Sequence, residues 1–229
     1  MISIRKANER GTANFGWLHS KHTFSFGHYH DPLHMGFSAL RVINDDLVSP
    51  AAGFETHGHR DMEIISYVQE GQIEHKDSEG NIEVLPAGEF QLMSAGRGIY
   101  HSEYNASNEQ PLKFLQIWIQ PNALGGEPRY QQKDFGQAYG LTPIISPDGV
   151  NGTLKIKQNA SLSQLRLKPN QSFAFKSEQS KIYIHLVSGS LAVLDETLNA
   201  GDGAKIADIN ELNITSVNED TTALIFELP

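Results

Sequence analysis

The chain has 229 residues and a formal net charge of −9, from 18 Lys and Arg against 27 Asp and Glu. It is long enough to bury a core without covalent staples, and too acidic for general nucleic-acid binding, which needs clustered Lys and Arg. Cysteine is absent and histidine occurs ten times; disulfides, thiolate metal sites and thiol catalysis are excluded, so any metal or acid–base chemistry falls to imidazole and carboxylate.

Residues Met1 to Arg10 hold no apolar stretch of signal-peptide length, and no later run approaches a membrane span. The expectation is a cytoplasmic protein without membrane contact. His19, His22, His28, His30 and His34 sit among Phe, Gly and Pro in a segment that reads as a strand with loops. Short runs rich in β-branched and aromatic residues follow, at Ile64 to Val68, Ile73 to His75 and Phe114 to Ile119. Gly125 to Val150 is rich in Gly, Pro, Gln and Tyr, has little periodicity, and reads as a connector. Strand signals resume at Ser161 to Leu167, Lys181 to Val187, Leu191 to Leu194 and Ala223 to Leu228. Helical periodicity is weak throughout. Many short strands with frequent turns predict an all-β sandwich or barrel.

The two parts read as diverged copies. Val68 to Ile73 resembles Leu186 to Leu191, Val84 to Glu89 resembles Thr197 to Asp202, and Leu115 to Ile119 resembles Ala223 to Glu227. The offsets drift from 118 to 113 to about 108, as insertions in the first copy would produce.

The densest chemical signal is Gly53-Phe54-Glu55-Thr56-His57-Gly58-His59-Arg60-Asp61-Met62-Glu63. On a strand, His57 and His59 point to one face, because side chains alternate with period two. His101-Ser102-Glu103 repeats that spacing. Two such pairs on neighbouring strands would gather three imidazoles and a carboxylate, a donor set suited to a divalent metal with a position left open. Glu63 has the same parity as His57 and His59, so spacing leaves Glu63 and Glu103 both available as the fourth ligand. His75 lies beside Lys76 and Asp77 and is expected in solvent; His185 reads as an ordinary strand histidine.

These segments resemble the two cupin motifs. Gly53, His57, His59, Glu63 and Gly71 follow the first; Gly88, Gly96, His101 and Asn105 follow the second, with Ser94 replacing its proline and two extra residues before His101. Those departures are shared by the pirins. The resemblance to that family extends to Met93 through Glu103, to Phe24-Ser25-Phe26 with Tyr29, Asp31 and Pro32, to Leu40 through Asp46, and to Leu115 through Ile119. It implies a bicupin: an N-terminal metal-binding cupin over 1–122, a connector over 123–151, and a degenerate C-terminal cupin without metal ligands over 152–229. It also implies His57, His59, His101 and Glu103 as ligands of one divalent ion, Fe(II) first, with Cu, Ni, Co, Mn or Zn as other occupants.

The chain looks especially like bacterial pirins with quercetin 2,3-dioxygenase activity, which open a flavonol's central ring with O2 and release CO. In that reading Glu103 also takes the substrate's proton, while Arg60, Tyr100 and Asn105 are candidates to support the ligands. Phe54, Met62, Met93 and Trp118 are candidates to line an apolar pocket for a small aromatic substrate. The alternative is a non-enzymatic metal or redox sensor that regulates a protein partner; a roomy pocket over the metal would favour the enzyme. A monomer is expected, since a bicupin already packs two barrels together.

Overall fold

The computed structural model describes all 229 residues, and they form two barrels built to one plan. The first has a large sheet in the order Arg129–Lys133, Phe90–Ser94, Glu63–Glu70, Leu112–Ile119, Leu40–Val48, Leu18–His22, Gly11–Asn14. Its small sheet runs Gly53–His59, Ile99–Asn105, Gln72–Asp77, Ile82–Pro86. The second has a large sheet in the order Ile2–Arg5, Gly203–Ala207, Lys181–Ser188, Thr221–Leu228, Ser161–Leu167, Gly140–Ser146, Leu154–Lys155. Its small sheet runs Ser172–Lys176, Glu211–Ser216, Ser190–Val193, Glu196–Asn199. The strands correspond one for one except at the far edge of each large sheet, where Gly11–Asn14 pairs antiparallel and Leu154–Lys155 parallel with its neighbour. The turns that suggested duplication correspond too: Gly71 and Gly189 hold φ of 81° and 83°, and a Cβ there would lie within 2.9 Å of the Pro111 and 2.5 Å of the Asp220 carbonyl oxygen. Only glycine fits both demands.

The division of the chain differs from the expected one at two places. Residues 123–151, expected as a connector, carry the strands Arg129–Lys133 and Gly140–Ser146, one on each large sheet. Residues 2–5, expected with the N-terminal cupin, pair instead along the C-terminal sheet, with Ile4 opposite Ala204. Each large sheet therefore takes its first edge strand from outside its own compact segment. Edge strands need less apolar alternation than central ones, and Arg-Tyr-Gln-Gln-Lys at 129–133 shows none.

The central strands of the large sheets are buried on both faces. Along Glu63–Glu70 and Leu112–Ile119, Ile65, Tyr67, Leu115 and Ile117 join a cluster with Leu224, Phe226 and Tyr183 of the other barrel. This 21-residue cluster between the halves is the largest core in the molecule, and each fully buried Leu, Ile or Phe contributes roughly 1.5–3 kcal/mol to it. Residues of opposite parity, Ser66, Val68, Phe114, Gln116 and Trp118, belong to the first barrel's own interior and mouth. The second barrel is filled with hydrocarbon, including Phe175, Leu191, Val193, Leu212 and Ile214. No helix is long and apolar enough to cross a membrane.

His185 lies on Lys181–Ser188, fully buried, with no partner for Nδ1. Burial, then the positive charge of Arg10, pushes its pKa down to about 4. The unfolded chain takes up this proton below about pH 6.5 while the folded chain refuses it, so stability present above pH 6.5 is lost as pH falls toward 4. The full shift corresponds to about 3 kcal/mol. Denaturant titrations of wild type and His185→Gln at pH 7 and pH 4.5 should show the variant losing less stability on acidification.

Candidate metal centre

The site forms where Gly53–His59 and Ile99–Asn105 pair inside the first barrel, with His101 opposite His57. Between His101 and Glu103 the register slips, so that Glu103 faces Phe54 and the Gly53 strand carries one extra residue. Such a bulge re-aims its side chains. It places the Glu55 carbonyl where His57 Nδ1–H donates to it, at 2.7 Å. That bond fixes the tautomer and leaves the His57 Nε2 lone pair free. Gly53 makes the close crossing possible: a Cβ there would lie 2.4 Å from the Glu103 carbonyl oxygen.

Three imidazoles converge. Ring centroids lie 4.8 Å apart for His57–His59, 4.5 Å for His57–His101 and 4.8 Å for His59–His101. His57 Nε2 and His101 Nε2 are 3.0 Å apart, and His59 Nε2 is buried without any partner. Burial, followed by the neighbouring histidines' charges, pushes His59 down to about 4 and His101 to about 3. Both rings are thus neutral at neutral pH, the form that binds metal.

Glu103 is buried beside His101 and His75, and these three form a second group whose ligand atoms lie within 4.8 Å of one another. Its Oε1 accepts from Ser66 Oγ at 3.3 Å and its Oε2 from Gln116 Nε2 at 3.4 Å. His101 belongs to both groups. Convergent nitrogen donors, an orphaned buried lone pair and an adjacent carboxylate fit a divalent transition ion. Glu63 lies elsewhere. It is on the large sheet, beyond a turn at Asp61 (φ 51°), accepting from Ser94 Oγ at 2.8 Å and from the Lys157 backbone N–H at 3.1 Å. Burial raises its carboxyl.

His75, expected in solvent, is completely buried. Ile73 and His75 point inward while Glu74 and Lys76 point out, so strand alternation carried the signal that charged neighbours obscured. Its Nε2 bonds Asp77 Oδ2 at 3.1 Å and its ring centroid is 5.3 Å from that of His101. Burial would raise the Asp77 carboxyl, but hydrogen bonds from Asn81 and then His75 outweigh it and hold it below its ordinary value.

The supporting candidates separate. Asn105 is buried, but its Nδ2 donates to the carbonyls of Val48, Ser49 and Gln110 and ties loops together. Tyr100 and Arg60 are exposed. Met62 and Met93 pack with Ile64, Ala95 and Ile99 instead of facing a cavity. Phe54 and Trp118 do line one, a cleft of about 610 Å³ that also meets His57, His59, Phe15 and Phe26. His22 and His28, given no role by spacing, lie on the same wall.

A pirin family model matches residues 3–119, and a quercetinase C-terminal cupin domain model matches 143–228. A quercetin 2,3-dioxygenase of Escherichia coli strain K12 is 48% identical, covering 100% of this chain and 99% of its own. The solved structure of YhhW from Escherichia coli superimposes with a TM-score of 0.98 at 47% identity, over 100% of this chain and 98% of that one. A second structure, of the bacterial pirin YhhW in complex with nickel(II), gives 0.97 at 46% identity, over 100% and 99%.

Glu103→Gln and Glu63→Gln distinguish the two carboxylates. Competition with a chromogenic chelator should show Glu103→Gln losing more than about tenfold in affinity for nickel(II), while Glu63→Gln stays within about twofold of wild type. Glu63→Gln should instead lower folding stability by about 1–2 kcal/mol, by disturbing a buried acceptor.

Proposed function

Because the chain belongs to the pirin family, we propose that it is a metal-dependent dioxygenase that cleaves a flavonol such as quercetin with O2 and releases CO. The observation that carries this reading is the cleft of about 610 Å³ over His57 and His59, walled by Phe15, Phe26, Phe54 and Trp118. Its volume and its apolar walls suit a planar aromatic. A sensor whose metal only reports its redox state to a protein partner needs no such space, so the cleft favours the enzyme.

His57, His59, His101 and Glu103 would hold the ion. When bound, a divalent metal supplies a Lewis acid for the flavonol 3-oxygen and an electron path to O2. Glu103 accepts the 3-hydroxyl proton, leaving an electron-rich flavonolate. Ser66 and Gln116 each donate to one Glu103 oxygen and keep the carboxylate oriented for that transfer. Trp118 packs edge-on against His59, ring centroids 5.1 Å apart, and fixes that imidazole while closing the apolar wall. Both oxygen atoms of O2 end in the products and one ring carbon leaves as CO, so no external reductant is consumed.

Iron(II) is our first choice of ion, although imidazole and carboxylate donors suit several divalent metals and the YhhW relative was solved with nickel(II). The same reading keeps the chain monomeric and cytoplasmic. Anaerobic reconstitution with iron(II), copper(II) or nickel(II), followed by O2 and quercetin, tests it. Flavonol absorbance should fall with release of CO, only in metal-loaded protein, and His59→Ala should abolish the loss. Absence of turnover with every metal would transfer the case to the regulator.

A further inference from the structure

The cleft has a polar stripe that the chemistry above does not use. Strands Leu18–His22 and Leu40–Val48 pair with Ser20 opposite Asp46 and His22 opposite Asn44, and all four side chains line the cleft. Three of them satisfy one another: His22 Nδ1 meets Asn44 Oδ1 at 2.8 Å and Ser20 Oγ at 3.3 Å. Asp46 is different. It is 2% exposed, and its Oδ1 has no hydrogen-bond partner. A buried polar atom left unpaired on a cavity wall is a place for a ligand's donor.

The surroundings narrow what that ligand carries. No Lys or Arg lines the cleft, so away from the metal position an anionic group on the ligand would find no counter-charge. Burial first, with the charges of Asp45 and Glu103 adding to it against a hydrogen bond from Ser20, raises the Asp46 carboxyl to about 7. Near neutrality it is present in both forms, and a hydroxyl can pair with either.

On the flavonol reading, we infer that Asp46 is the specificity residue of the cleft: its free carboxyl oxygen binds a phenolic hydroxyl other than the one that reacts. The site thereby selects neutral, ring-hydroxylated aromatics over bare ones. A site built to bond a hydroxyl discriminates against the analogue lacking it, because its own buried group is then left unpaired.

Nickel-loaded protein, kept free of O2, is titrated with quercetin and with 3-hydroxyflavone, which lacks the ring hydroxyls. Binding is read from tryptophan fluorescence, since Trp118 lines the cleft. Wild type should prefer quercetin by about tenfold, and Asp46→Leu should reduce that preference to within about twofold without weakening 3-hydroxyflavone. A second measurement does not depend on the variant folding: quercetin methyl ethers, each capping one hydroxyl other than the 3-hydroxyl, are titrated into wild type. One of them should lose about tenfold. Equal binding of all ethers, or a Leu variant that keeps the preference, overturns the inference and leaves the Asp46 oxygen without a ligand. Wild type that binds neither flavonol overturns the flavonol reading as well; wild type that binds both equally overturns Asp46 alone.

Discussion

Imidazoles and carboxyl groups occupy the interior of the first barrel at places where the second holds hydrocarbon, and their desolvation governs the rest of the design. His101 stands opposite His57 in one small sheet; Leu212 stands opposite Phe175 in the other. Burying a charge without partners costs several kcal/mol, and an unpaired polar group costs about 1–3 kcal/mol. The large sheet answers with a row of polar side chains. His22, Asn44, Gln116, Ser66 and Gln91 occupy one register position on five consecutive strands. Gln116 and Ser66 from that row are the donors to Glu103. Row and site form one arrangement: a hydrocarbon at Gln116 or Ser66 would strip a partner from a buried carboxylate.

A barrel with so polar an interior takes its cohesion from elsewhere. The cluster between the two large sheets joins the halves through hydrocarbon, and the second barrel has an apolar core of its own. The halves also exchange polar ties. Glu63 accepts the Lys157 backbone N–H from beyond the first barrel. Arg5, on the strand that completes the second barrel's sheet, donates through an Nη to the Tyr29 hydroxyl at 2.6 Å, and Tyr29 lines the cleft. The duplicated barrel thus acts as a buttress for a cavity it does not contain.

What could be read in the sequence was periodic or tied to glycine. His57, His59 and His101 stood out because alternation on a strand makes such spacings converge, and the duplication stood out because Gly71 and Gly189 end equivalent strands in a conformation that suits glycine. Other features depend on contacts between distant segments. The common parity of His57, His59 and Glu63 assumed one unbroken strand, whereas the turn at Asp61 sends Glu63 into the other sheet. His75 sits beside charged residues, which read as surface; it is buried because strand alternation turns it into the barrel. Residues 2–5 and 129–133 are edge strands whose partners are set by docking and not by their own pattern.

The cleft separates two tasks along the chain. The convergent imidazoles come from the cupin strands at 53–59 and 99–105, whereas much of the opposing wall comes from residues 12–29, the hairpin and loop that precede them. That wall is set closely. The Tyr29 ring rests against Gly11, where a Cβ would lie 2.4 Å from it, so any side chain at position 11 would drive the ring from its place. Tyr29 is also held by Arg5, so the ring is fixed from both sides. This aromatic wall narrows the cleft from a segment that carries none of the three convergent histidines. Changes confined to residues 12–29 should therefore alter which aromatic is admitted while His57, His59 and His101 keep their places.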